Sequence, residues 1–135
     1  MKNNTISGAV TILLGLLIVF GPQFLFKACE LMEGSIPRCH WSIQADTGIG
    51  MIINMFGICL IVFSNQLIQF GLTIGIFFAS IFALSVPHIL IGGCGMMSMA
   101  CRRVAFPALS VIGVLVLAGS AANIVYLGGK TKTAM

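Results

Sequence analysis

Four cysteines, two histidines, a tryptophan and a run of methionines hold most of the reactive chemistry of this chain. Cys29 and Cys39 lie in the first long polar gap between apolar stretches, and Cys94 and Cys101 lie in the last. Four cysteines allow about three pairings, and sequence alone does not choose among them. Local bridges, Cys29 to Cys39 and Cys94 to Cys101, close the shortest loops and so lose the least chain entropy. They read first as structural staples. Neither pair has the C-x-x-C spacing of a thioredoxin-like exchange centre. Cys59, inside an apolar stretch, reads as a packing thiol.

Cys39 is followed directly by His40 and Trp41. Tryptophan is enriched at membrane interfaces, which accounts for Trp41 without any further role. A histidine can ligate metal or exchange protons near neutral pH, and His88, after Pro87, is the second in the chain. Between Cys94 and Cys101 lie Met96, Met97 and Met99. Soft thioethers and thiols select Cu(I) over harder ions, although methionine also fills adaptable docking surfaces. His40, His88 and Met99 are therefore the candidate ligands for copper or haem. Arg102 can hold a phosphate or carboxylate as a fork.

These residues need a scaffold, and composition indicates which. The chain is 59% hydrophobic and 7% charged, against roughly half and a quarter for soluble domains. Lipid can cover what charge does not. Four apolar stretches, 6–26, 47–64, 68–92 and 104–127, contain no Lys, Arg, Asp or Glu. Each reaches the roughly 17–25 residues that cross a hydrocarbon core. The second, shortest and carrying Asn54, has the weakest signal. The stretches do not alternate polar with apolar, so helices are expected, not barrel strands. The fold class expected is all-α: one domain over 1–135, an integral membrane four-helix bundle with a disulfide-capped extracytoplasmic loop region. The first stretch is longer than the core of a signal peptide and reads as a retained helix.

Two crossings separate the two sulfur-bearing gaps, so all four thiols should emerge on one face. Basic residues barely orient the chain, with Lys2, Lys130 and Lys132 on one side and Lys27, Arg38, Arg102 and Arg103 on the other. Paired loop thiols suit an oxidising compartment. That places the termini in the cytoplasm and the cysteine loops outside.

Within the helices, Gly71, Gly75, Ala79 and Ala83 form a small-residue stripe suited to close helix approach, and Gly8 and Gly15 thin the first helix. Asp46-Thr47 is expected to cap the second helix, Asn65-Gln66-Leu67 to link the second and third, and Pro107 to open the fourth. Pro22 and Pro87 should bend their helices or free a carbonyl. With no acid expected inside a helix, an autonomous proton-coupled transporter is disfavoured. The net charge of +4 suits anionic headgroups. No basic stripe interleaved with aromatics points to nucleic acid.

The ordered set Cys29, Cys39-His40-Trp41, Pro87-His88, Cys94, Met99, Cys101 and Pro107 resembles a family of small uncharacterised bacterial four-helix membrane proteins. That resemblance spans nearly the whole chain and implies a bacterial plasma-membrane location and company with ABC-type export permeases. A weaker resemblance is to four-helix quinone-linked disulfide-forming enzymes, from which the missing C-x-x-C departs. The leading expectation is a non-enzymatic accessory or ligand-binding subunit of a transport system. His40, Trp41, His88, Met99 and Arg102 would line its vestibule, and a permease or a second copy of the chain would be its partner. A copper or haem binder and a thiol–disulfide oxidoreductase are the alternatives.

Overall fold

A computed structural model describes residues 2–25, 38–90, 103–104 and 106–134. Four long helices run through the described residues: α1 (Lys2–Phe20), α2 (Arg38–Val62), α3 (Gln66–Ser85) and α4 (Phe106–Ala134). No strand occurs among them. α1 continues into a π-helical turn over Gly21–Leu25, and α3 into another over Val86–Leu90. Each turn contains a proline, which has no N–H for the helical ladder. π-Helical bulges are the usual accommodation of such local mismatch, so the irregularity expected at Pro22 and Pro87 is present at both.

The helices pack in antiparallel order. Gly8 faces Ile61 and Gly57, whereas Gly15 faces Asn54, so α1 and α2 run in opposite directions. Phe56 lies against Gly75, and Gln69 bonds back to Leu60 and Phe63, which makes α2 and α3 a hairpin. Asn123 reaches Thr73 while Gly113 meets Leu84, which reverses α4 against α3. Ile18, Ile53, Leu60, Ile76, Leu109 and Val116, drawn from all four helices, form the core. Large apolar side chains such as Leu13, Met55, Phe78 and Val125 point outward. Apolar exposure on that scale marks a surface made for lipid.

Among the described residues, three helices are long and apolar enough to cross a membrane: Trp41–Val62, Gln66–Ser85 and Phe106–Thr133. The apolar part of α1, Thr5–Phe20, is shorter. The second stretch, expected to be the weakest, lies in a helix long enough to cross because α2 begins upstream of the apolar run. From Arg38 to Asp46 nothing breaks a helix, and Pro37 immediately before it suits a helix start.

Several local expectations change. Cys39, His40 and Trp41 are the second to fourth residues of α2, not a loop. Asp46 lies well inside that helix and caps nothing. The α2–α3 turn is Phe63–Asn65, and Asn65 itself caps α3, its side chain accepting from the Leu67 amide at 3.3 Å. The α-helical part of α3 stops at Ser85, and α4 extends to Ala134, its last turns held by Thr131 and Thr133 hydroxyls bonded to Leu127 and Gly129 carbonyls.

The tightest helix contact is α1 on α2, not the stripe on α3. A Cβ at Gly57 would stand 2.8 Å from Ile12 Cγ1 and 3.3 Å from the Ile12 amide nitrogen. At Gly71 it would meet nothing within 4 Å. Close backbone approach through small residues is how helices associate where lipid removes the hydrophobic drive.

Candidate functional site

The antiparallel order fixes the two ends of the bundle. One end holds the beginning of α1, the Phe63–Asn65 turn and the end of α4. The other, called here the loop end, holds the π turn after α1, the start of α2, the π turn after α3 and the start of α4. The second π turn packs against α2. The segments carrying Cys29 and Cys39, and Cys94 and Cys101, therefore leave and enter the helices at this same end.

Of the expected site residues, two have described side chains. Trp41 is 58% exposed on the first turns of α2. His88 is exposed on the second π turn, and its Nε2 lies 2.9 Å from Ser110 Oγ on α4, the donor depending on the ring tautomer. Cys39 and His40 lie on α2, their side chains outside the described set. Cys29, Cys94, Met99, Cys101 and Arg102 lie outside the described residues, and with them both expected disulfides. Cys59 is a free, half-buried thiol. No three His, Cys, Asp or Glu side chains gather among the described residues.

The feature that sequence reasoning missed is a line of oxygens on α2. Asp46 is 1% exposed and Ser42, one turn before it, is fully buried. Among the described residues, neither carboxylate oxygen of Asp46, nor the Ser42 hydroxyl, nor Oδ1 of Asn54 has a hydrogen-bond partner. Ser42, Asp46, Gly50 and Asn54 recur every four residues, which sets them one above another along a single helix face. Gly50 abuts Ile18 and Val19, and Asn54 abuts Gly15, so this row turns toward α1. That four-residue recurrence of small and polar residues was the available signal. It was masked by the assumption that an acid beside an apolar run belongs to the helix cap.

Other hydroxyls in the bundle behave differently. Those of Thr11, Thr47, Thr73, Ser80 and Ser85 each bond to the carbonyl four residues earlier, the common solution for hydroxyls inside a helix. A cavity of about 210 Å³ between α1, α3 and α4 is lined by Thr11, Thr73, Ser120 and Asn123. Three of its hydroxyls already have partners, Thr11 on the Ser7 carbonyl, Ser120 on the Leu117 carbonyl and Thr73 accepting from Asn123 at 3.2 Å.

The described residues define a small, all-helical fold with helices long and apolar enough to span a membrane. The chain belongs to the DUF4418 family, a domain of unknown function, which matches residues 11–126. No curated protein and no solved structure matches it.

Proposed function

We propose that this chain is a non-enzymatic, four-pass membrane protein that serves as an accessory or ligand-binding subunit of a transport system of the ABC-permease kind. Its termini face the cytoplasm of a bacterial cell. His40, Trp41, His88, Met99 and Arg102 form an extracytoplasmic vestibule, capped by the pairs Cys29–Cys39 and Cys94–Cys101, that receives a ligand or the permease.

The observation that carries this reading is convergence. The start of α2, the second π turn and the start of α4 meet at one end of the bundle, with Trp41 exposed there and His88 held by Ser110. Exposed aromatic and histidine side chains on a rigid helical frame suit recognition, since a bound partner desolvates them at little entropic cost.

The test is extraction in mild detergent followed by native-gel and cross-linking analysis against the permease. Co-migration at fixed stoichiometry, lost in Trp41→Ala with helicity intact, is the expected result. Purification of the chain alone, with transport unaltered by its deletion, overturns the reading.

The His88–Ser110 bond favours a second reading. Metal-ligating histidines are normally oriented by a hydrogen bond from the other ring nitrogen, so His88, with His40 and Met99, would hold copper or haem. Absorbance spectra and metal analysis after loading with Cu(I) or haem test this. A colourless protein that takes up neither contradicts it.

A further inference from the structure

Asp46 has a burden that none of the readings above relieves. It lies within Trp41–Val62, a segment long and apolar enough to cross a membrane, 1% exposed, with both carboxylate oxygens lacking a hydrogen-bond partner among the described residues. A buried, uncompensated charge is among the most unfavourable arrangements a protein can hold, and ionisable groups at membrane depth are rare unless they carry function. Ser42 adds a third orphaned oxygen on the same row, fully buried one turn away. All three atoms can accept, the Ser42 hydroxyl can donate as well, and what the carboxylate lacks is a donor or a cation.

The surroundings fit a cation. Gly50 meets Ile18 and Val19, so in an antiparallel pair Asp46, one turn nearer the loop end, is level with the π turn Gly21–Leu25. Phe56 meets Gly75, which by the same register sets Asp46 level with the end of α3, where the second π turn begins and packs on α2. Both π turns therefore flank one layer of the bundle. Pro22 and Pro87 cannot give the amide hydrogens that would bond the carbonyls one turn back. Helices interrupted at membrane depth are where backbone carbonyls become available to coordinate ions.

We propose that Asp46 and Ser42, in the layer bounded by the two proline-bearing π turns, form a binding site for a single monovalent alkali cation of the sodium class. The donors are hard oxygens, which suit alkali and alkaline-earth ions and not the soft metals expected of the cysteine and methionine segments. One carboxylate neutralises one unit of positive charge. A divalent ion would leave a net charge buried in the bundle. Asn54 Oδ1, two turns further along the row, is the next free acceptor toward the bundle centre. This site is separate from the proposed vestibule residues and stands whether or not a permease is the partner.

The test uses the purified full chain in nanodiscs with sodium alone as probe, sodium chloride being exchanged for choline chloride at constant ionic strength. Radiolabelled sodium should bind saturably at about one ion per chain, and thermal unfolding should shift upward with sodium over the same range. Asp46→Asn should abolish both effects. Ser42→Ala, which only removes a hydroxyl, should keep the fold and weaken sodium binding by about tenfold, the effect of losing one contact to a charged group. Absence of saturable sodium binding by the unaltered chain overturns the proposal even if Asp46→Asn fails to fold. So does a sodium effect unchanged in both variants. Stability that depends on pH but not on sodium assigns the site to a proton and likewise overturns it.

Discussion

The two halves of this bundle treat buried polar groups differently, although helix hydroxyls such as those of Thr47 and Ser80 bond to backbone carbonyls in the loop half too. Toward the terminal end, Gln69, 3% exposed, donates to the Phe63 carbonyl at 2.8 Å and the Leu60 carbonyl at 3.4 Å, tying the α2–α3 turn shut. Asn65 caps α3, Asn123 joins α4 to Thr73, and Lys130 lies 5.0 Å from the Tyr126 ring. Toward the loop end, both helices that end there loosen into π turns, and Ser42 and Asp46 are buried without partners among the described residues. Satisfied networks fix a unique packing, whereas unsatisfied buried groups persist only where something besides stability maintains them. One half holds the fold together and the other keeps unused bonding capacity.

Substitutions should separate the halves by the sign of their effect. Gln69→Leu leaves two turn carbonyls without their donor and is expected to lower stability by about 3 kcal/mol, read as a lower midpoint in denaturant unfolding in micelles. Asp46→Leu should do the reverse in sodium-free buffer, raising stability by about 2 kcal/mol, because an unsatisfied polar group leaves the interior. A loss of stability there would erase the contrast between the halves. Asn123→Ala removes one interhelical hydrogen bond and should lower stability by about 0.6 kcal/mol, the typical value for such bonds within membranes. Ser110→Ala at the exposed His88 contact should change it by less than about 0.5 kcal/mol, while altering His88 reactivity toward diethyl pyrocarbonate.

Much of this architecture could be read from the chain. The uncharged apolar runs located four helices because lipid tolerates little else, and Pro22, Pro87 and Pro107 marked irregularities or starts that the structure contains. What misled was the start of α2. Cys39-His40-Trp41-Ser42 is not apolar, so hydropathy began the helix too late and assigned Asp46 to a cap. Only the four-residue recurrence from Ser42 to Asn54 reveals that the helix runs on and turns this face inward. The stripe from Gly71 to Ala83 misled differently. Small residues permit close approach but do not select a partner, and the opposing glycines of α1 and α2 supplied the tighter fit. Residue type singled out His88 and Trp41, which lie exposed at the loop end, whereas Asp46 was missed because its meaning depends on burial.

Everything proposed for the loop end requires that the two sulfur-bearing segments share one side of the bilayer. Single-cysteine variants of an otherwise cysteine-free chain, keeping Cys39 or Cys94 or introducing Lys132→Cys, test this with a membrane-impermeant maleimide on sealed vesicles of known orientation. Cys39 and Cys94 should label from the same side and the position at 132 from the other. Labelling of Cys39 and Cys94 from opposite sides would contradict the antiparallel order of the bundle and remove the vestibule with it.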